Sequence, residues 1–231
     1  MTSTDFNRSV QLNAQIAQLL SDWWTRPEPV RITLWASAPY QQQVIQLWHA
    51  TSREGAESVR KLLAAAVSNR DGLTTEYERL FVGPAAIPCP PYEAVWRSDR
   101  PKHEQGTVMG GSTARIKQIY AELSVRLRLG EVELPDHIAI ELEALAHALR
   151  TNHLAQADAL IGQFQGWLPA FAASVVANSR LEFYRRLAEL TWEFFLNLSP
   201  PQVPDKGNGC RAPDVEAFTD SAKGVGLCSE N

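Results

Sequence analysis

The sequence has few of the residues that build disulfide frameworks, zinc sites or basic nucleic-acid surfaces. Its 231 residues include three cysteines, Cys89, Cys210 and Cys228, and no CxxC pair is present. Such an odd, widely spaced set indicates a reducing compartment and no structural zinc. The formal net charge is −4, so the chain lacks the basic excess of a general nucleic-acid binder. We therefore expect neither a disulfide-rich secreted domain nor a nucleic-acid-binding protein.

The usual catalytic and metal-binding motifs are also absent. The five histidines form no HExxH or HxxxH pair, and there is no GxSxG and no GxxxxGK[ST] phosphate loop. The glycine pair Gly110-Gly111 precedes a predicted helix start, where it could cradle an anion but is more often part of a helix cap. We expect no metal, no cofactor and no enzymatic activity. The alternative is a protein that binds or hydrolyses a nucleotide such as GTP, with Lys102 or Lys117 on the phosphate.

Long apolar runs are missing as well. The N-terminus reads MTSTDFNRSV and has neither the basic nor the apolar part of a secretory signal peptide. No apolar run approaches the ~18–20 residues of a membrane span. These absences predict a cytoplasmic protein without stable membrane insertion.

Apolar residues make up 45% of the chain and recur mostly at helical spacing. Helical stripes are predicted in residues 3–26, 37–50, 52–68, 116–130, 135–150, 157–168 and 170–198. Residues 30–39 are ambiguous, because a strand there would have no partner strand. The expected fold is all-α: a single-domain helical bundle of about eight to ten helices over residues 1–199. A polar hinge is expected near residues 97–112 and a disordered tail at residues 200–231.

One stretch, residues 76–96, is apolar but has little regular periodicity. It starts with an amphipathic piece, stops at Gly83-Pro84, and continues as a Pro-rich run that contains Pro91 and Glu93. Aromatic residues at helical spacing usually belong to a core, whereas stiff apolar loops commonly line a partner groove. Both interpretations are open for the amphipathic piece, which carries Tyr77, Leu80 and Phe81.

A second feature is the predicted helix start Pro135-Asp136-His137. Proline suits the first helical position, and Asp136 would lie in the first turn, where the helix dipole stabilises a carboxylate. A helical wheel places Asp136 opposite the apolar stripe of this helix. That face is either a solvated surface or an acidic rim that receives arginines, because carboxylates pair bidentately with guanidinium groups.

Together these motifs resemble the TorD/DmsD/NarJ-type redox-enzyme maturation chaperones. The first motif is YERLFVGP at 77–84 followed by PPYE at 90–93, and the second is PDHI at 135–138 followed by ELE at 141–143. A looser third match is WLPAF at 167–171 with FYRRLAELT at 183–191. The resemblance covers residues 76–198 in order and favours the TorD/DmsD branch, because the second motif is clear.

The resemblance implies an all-helical cytoplasmic chaperone that is not an enzyme. It would bind the twin-arginine signal peptide of a molybdopterin-containing oxidoreductase subunit and hold the precursor during cofactor insertion, before Tat export. Tat translocase components are a further candidate partner, and the oligomeric state is open between a monomer and a domain-swapped dimer. The residues that would line the peptide groove are Tyr77, Leu80, Phe81, Pro91 and Glu93 on one side, and Pro135, Asp136 and His137 on the other.

Three positions depart from the common pattern of this family. Ala94 stands where a serine is common, Trp96 where a tyrosine is common, and Ala144 where an aromatic residue is common. These differences leave the expected fold intact and could retune the groove for a different client peptide. A structural scaffold without any peptide groove is the third interpretation of the chain.

Overall fold

The computed structural model describes residues 3–83, 86–98, 111–126 and 134–198. Most of the predicted hinge at 97–112 and all of the predicted tail at 200–231 lie outside these ranges. The expected all-α fold is confirmed, because the described ranges hold ten α-helices and no β-strand. The helices are α1 (Ser3–Trp24), α2 (Pro29–Trp35), α3 (Ala38–His49), α4 (Arg53–Ser68), α5 (Leu73–Tyr77), α6 (Glu93–Trp96), α7 (Gly111–Glu122), α8 (Ile138–Arg150), α9 (Leu154–Asn178) and α10 (Glu182–Asn197).

Prolines and caps set several helix boundaries. Pro29 occupies the first position of α2, so the stretch that was ambiguous in the sequence is helical. Ser52 caps α4 by accepting a hydrogen bond at Oγ from the backbone N–H of Gly55. The predicted separation of the stripes at 157–168 and 170–198 is wrong, because α9 continues through Pro169 to Asn178. The chain instead turns between Ser179 and Leu181, before α10.

The helices pack around α9, whose buried face runs along most of its length. Helix α10 lies against both α9 and α4, α3 packs on α4, and α1 packs along α8. Polar side chains fix this arrangement at buried points. Trp24 Nε1 donates to Thr191 Oγ1 at 3.0 Å, which joins α1 to α10, and Ser21 Oγ donates to the carbonyl oxygen of Ala139 at 2.8 Å.

Helix α9 is long and apolar enough to span a membrane when only its length and composition are considered. Half of its most apolar window is buried inside the protein. The side chains of Phe164, Trp167 and Phe171 are fully buried against neighbouring helices. The apolar character of α9 is therefore accounted for by its position at the centre of the bundle.

Two helical glycines differ in the space beside them. A Cβ at Gly55 would lie 2.6 Å from Cδ1 of Trp48, whose ring is stacked on Trp23 and buried. A Cβ at Gly162 would meet nothing within 4 Å. The first glycine is thus required by close packing, and the second is not.

We predict that Gly55→Ala lowers the free energy of unfolding by about 1–3 kcal/mol, because the buried Trp48 ring must shift. Gly162→Ala is the matched control and should raise it by up to about 1 kcal/mol, the helix-propensity difference. Urea unfolding followed by circular dichroism measures both values. Equal effects of the two substitutions would contradict the packing described around Trp48.

Candidate functional site

The first motif folds as α5 followed by a π-helical turn at Glu78–Val82. The turn ends at Gly83, whose φ of 82° lies in the left-handed region that favours glycine. The Pro-rich segment is described from residue 86 onward. This segment is tied back to the turn by a hydrogen bond of 3.0 Å from the backbone N–H of Cys89 to the carbonyl oxygen of Leu80.

Glu76 fixes the π-helical turn against the end of α9. Its carboxylate accepts hydrogen bonds from Nε and Nη2 of Arg79 at 2.8 Å and from the backbone N–H of Arg180. Burial alone would raise the pKa of Glu76, but the hydrogen bonds from Arg79 and Arg180 outweigh it and lower that pKa. Glu76 therefore stays ionised and holds the motif in place.

Tyr77, Leu80 and Phe81 belong to the core and line no open groove in this structure. Leu80 is 0%, Phe81 2% and Tyr77 3% exposed. The Phe81 ring centroid lies 5.7 Å from that of Trp24 and 5.5 Å from that of Tyr184. Of the two interpretations that the sequence left open, burial supports the core for these three side chains.

We predict that Leu80→Ala lowers the free energy of unfolding by about 2–5 kcal/mol, because it opens a cavity among packed rings. Val82→Ala is the control two residues away, where the side chain is 48% exposed, and should change stability by no more than about 0.5 kcal/mol. Thermal and urea unfolding measure the difference. A neutral Leu80→Ala substitution would show that this side chain is not part of the core.

The Pro-rich segment meets the second motif in a short backbone pairing, which we call the junction. The N–H of Glu93 donates to the carbonyl oxygen of Asp136, and the N–H of Ile138 donates to that of Pro91, both at 2.9 Å. Between these bonds, Tyr92 and His137 form an isolated antiparallel bridge with ring centroids 5.4 Å apart. The structure thus brings Pro91 and Glu93 together with the Pro135-Asp136-His137 turn.

The predicted start of α8 is wrong by a few residues. The helix begins at Ile138 and His137 is its N-cap, with Nδ1 accepting from the N–H of Ala139 at 3.1 Å. Pro135 and Asp136 form a turn that precedes the helix, and the carbonyl oxygen of Pro135 accepts from the hydroxyl of Tyr120 at 2.7 Å. Asp136 is consequently not in the first helical turn.

Asp136 is also not on a solvated face, as both interpretations of the sequence had placed it. Its side chain is 0% exposed. Oδ2 accepts from the backbone N–H of Ala94 at 3.2 Å and lies 3.5 Å from the hydroxyl oxygen of Thr113. The carboxylate is held inside the protein, at the place where α6, α7 and the start of α8 meet.

Two further buried carboxyl groups join Asp136 to form what we call the carboxyl cluster: Glu93, Asp136 and Glu141. Glu93 and Glu141 are each 0% exposed. Arg97 Nη1 donates to Oε1 of Glu93 at 2.6 Å. Within the described residues, neither oxygen of Glu141 has a hydrogen-bond partner of ordinary geometry. Glu141 is therefore the member whose ionised form would be least stabilised.

Burial raises the pKa of Glu141 well above its usual range, and the negative charges of Glu93 and Asp136 raise it further. Burial also raises the pKa of Glu93, although Arg97 opposes this by stabilising its ionised form. Glu141 is thus the member that favours the protonated state, and Glu93 is the member paired with a cation. A protonated Glu141 and an ion-paired Glu93 together lower the net negative charge that the cluster holds away from water.

The N-terminus of α7 does not match a phosphate site. Gly110 and Lys102 lie outside the described residues, and Lys117 is exposed on α7. Thr113 is buried with its hydroxyl next to Asp136, so this helix start faces an anion of the protein itself. The described part of the chain also holds no group of three His, Cys, Asp or Glu side chains suited to a metal ion.

The sequence did not identify Glu141 of the carboxyl cluster as a site residue. It also did not identify three residues around the cluster, Arg97, Thr113 and Gln163. A signal existed for two of them. Glu93 and Arg97 are four residues apart, as are His137 and Glu141, and this spacing places side chains on one helical face. Nothing in the sequence indicates that Gln163 of α9 lies beside Arg97.

The two sequence motifs meet at the junction of an all-helical bundle. This combination places the protein in the class of redox-enzyme maturation proteins, as the resemblance of the sequence implied. Residues 48–176 match the family described as nitrate reductase delta subunit, and the chain belongs to this family. Individual proteins that are similar to this chain carry the names of chaperones. The likeness to the TorD/DmsD branch is confirmed by these relatives.

The chain is 28% identical over 145 residues to the Tat proofreading chaperone DmsD of Salmonella typhi, a span of 62% of this chain and 69% of that protein. It is 26% identical over 122 residues to the chaperone protein TorD of Shewanella piezotolerans, covering 52% of this chain and 57% of that one. A solved structure of a proposed redox enzyme maturation protein from Archaeoglobus fulgidus aligns with a TM-score of 0.52 and 24% identity. That alignment covers 79% of this chain and 93% of the other, and it supports the fold alone.

We predict that Glu141→Gln makes the protein more stable than the wild type at neutral pH. A carboxyl whose pKa is raised by folding contributes its full stability below its unfolded pKa, near 4.5, and loses it as pH rises toward the folded pKa. The advantage of Glu141→Gln should therefore grow above pH 4.5, by at most about 1.4 kcal/mol per pH unit.

Urea unfolding over a series of pH values measures this difference. Glu143→Gln is the control, because Glu143 lies two residues away on α8 with an exposed side chain. Its stability curve should run parallel to that of the wild type. A constant gap between Glu141→Gln and the wild type at all pH values would contradict a protonated Glu141.

Proposed function

We propose that this protein is a cytoplasmic chaperone for the precursor of a molybdopterin-containing oxidoreductase subunit. It binds the twin-arginine signal peptide, holds the precursor during cofactor insertion, and then releases it toward the Tat translocase components. The proposal assigns it no catalytic step. The observation that carries the proposal is the junction, because the two sequence motifs of the family meet there beside buried carboxyl groups.

The chemistry of the junction suits a peptide that is basic and then apolar. Carboxylates bind guanidinium groups bidentately, and Glu93 and Asp136 are the members of the carboxyl cluster suited to this role, because Glu141 favours its protonated form. Half-exposed apolar side chains occur in the same segment, at Tyr92, Val95 and Trp96 of α6 and its N-cap.

The eight residues taken from the resemblance have two different roles in this proposal. Pro91, Glu93, Pro135, Asp136 and His137 form the junction, which receives the arginines of the peptide after a local opening. Tyr77, Leu80 and Phe81 form the packed support behind it and contact the peptide only if the π-helical turn rearranges.

The opening must be driven by the ligand, because Asp136 and Glu93 are inaccessible in the closed junction. An arginine pair of the peptide binds the open state better than the closed state, because only the open state offers it carboxylate partners. The apolar part of the peptide adds a non-directional contribution that salt does not screen. High ionic strength should therefore weaken the arginine component more than the apolar component.

We predict that Asp136→Asn weakens binding of a synthetic leader peptide with two consecutive arginines by about 10–100-fold, because a charged hydrogen bond is lost. Asparagine keeps an acceptor oxygen for the N–H of Ala94, so the fold should be retained. Isothermal titration calorimetry measures the affinity, with the same peptide carrying two lysines as a second ligand.

Asp158→Asn on the exposed side of α9 is the matched control and should bind like the wild type. The wild type should prefer the arginine peptide, and Asp136→Asn should lose most of that preference. If the wild type binds neither peptide, the proposed function is wrong. If Asp136→Asn keeps the full preference for arginine, Asp136 is not part of the site.

A further inference from the structure

We propose that Glu93, Gln163 and Gly166 form a guanidinium site that Arg97 occupies in the free protein and that an arginine of the leader peptide occupies in the complex. Arg97 is thus an internal competitor of the ligand. The inference rests on the proposed function for its ligand, but the site itself is argued from the structure and tested separately.

The guanidinium of Arg97 lies in a formed pocket. Its Nη1 donates to Oε1 of Glu93 at 2.6 Å and to Oε1 of Gln163 at 3.1 Å. Both acceptors are buried, with Glu93 at 0% and Gln163 at 5% exposure. A charged acceptor and an amide acceptor on opposite elements therefore fix the orientation of one guanidinium group.

Gly166 provides the surface on which this group lies. A Cβ at Gly166 would stand 3.4 Å from both Nη1 and Nη2 of Arg97 and 3.5 Å from Cζ. The guanidinium group therefore lies close to the backbone of α9 at Gly166. Gly166 is itself exposed, so the pocket lies just below the surface and not at the centre of the bundle.

A second guanidinium reaches the same place. Nη1 of Arg115 donates to Oε1 of Gln163 at 3.2 Å, so two arginines share one amide oxygen beside the carboxyl cluster. Arg97 follows α6 and Arg115 lies in α7, on the two sides of residues 99–110. The chain thus places an arginine pair of its own where the proposed ligand brings another.

The pocket also has unused capacity to accept hydrogen bonds. Oε2 of Glu93 is buried and accepts no hydrogen bond of ordinary geometry from the described residues, although Glu141 interacts with Glu93 and favours its protonated form. Buried carboxyl oxygens are ordinarily hydrogen-bonded. A guanidinium has five donors in a planar fork, so it is suited to several acceptors that surround one plane.

Exchange of the Arg97 guanidinium for that of a ligand arginine explains how a site with a buried ion pair can bind a peptide reversibly. Removing Arg97 alone would leave Glu93 buried and unpaired, which is strongly unfavourable. Replacing Arg97 with a ligand arginine keeps Glu93 paired and releases Arg97 to water.

The test uses Arg97→Ala with guanidinium ion at millimolar concentration as the probe. The empty pocket should take up the ion, so guanidinium chloride should raise the melting temperature of Arg97→Ala relative to sodium chloride of equal ionic strength. The wild type should show no such rise, because Arg97 fills the pocket. Arg185→Ala, which removes an arginine of a surface ion pair on α10, is the matched control and should also show none.

The affinity for the twin-arginine peptide is the second readout. Arg97→Ala should bind it about tenfold more tightly than the wild type, because no internal competitor remains. Absence of a guanidinium effect, or equal peptide affinity of the two proteins, would overturn the inference while the proposed function stands. If neither protein binds the peptide, the proposed function fails, and the guanidinium titration alone decides whether the pocket exists.

A measurement on the wild type covers the case in which Arg97→Ala does not fold. Arginine side-chain N–H signals in ¹⁵N-edited NMR, assigned to Arg97 through the Arg97→Lys variant, should show slow exchange with water in the free protein. Addition of the peptide should make the Arg97 signal exchange quickly. A signal that stays protected in the complex would show that Arg97 is not displaced.

Discussion

The rest of the site depends on the two backbone hydrogen bonds of the junction. They join residues 91–93 of the Pro-rich segment, which has few amide donors of its own, to residues 136–138, at the turn that precedes α8. Proline contributes no N–H, so such a segment can be fixed only by the few donors and acceptors that remain. The pairing in turn places three carboxyl groups at the centre of the junction.

Burial of these carboxyl groups is costly, and the structure offsets that cost in several ways. Asp136 accepts from the backbone at the start of α6, Glu93 is paired with Arg97, and Glu141 favours its protonated form. A buried polar cluster of this kind is weak evidence for stability, since apolar residues of the same size often do as well. The proposed function gives a reason for it, because a ligand of opposite charge would need such a cluster.

The sequence predicted the all-α fold and the two motifs that meet at the junction. It did not predict which side chains of these motifs are buried. Helical periodicity identifies α1, α4 and α8, because their buried faces repeat at a spacing that needs no tertiary knowledge. For Leu80 and Phe81 the sequence left the core and a peptide groove open, because their burial depends on Trp24 and Tyr184, which come from distant parts of the chain. Only the packed structure shows that they face the core.

Asp136 illustrates the same limit for charged residues. A helical wheel places it opposite the apolar stripe of α8, and for a helix standing alone in water this would be a solvated face. In the protein, α6 and α7 cover that side, and Thr113 and the N–H of Ala94 complete its surroundings. Gln163 and Gly166 could not be found from the sequence, because their relation to Arg97 arises only when α9 packs beside α6.

The proposed binding surface for a twin-arginine leader is the junction. A leader peptide with a photo-crosslinking residue next to its arginines, followed by mass spectrometry of the linked protein, tests this assignment. We expect crosslinks to the Pro-rich segment, to α6, and to the turn at 134–137. Crosslinks confined to the outer faces of α2 and α4, with none at the junction, would contradict it.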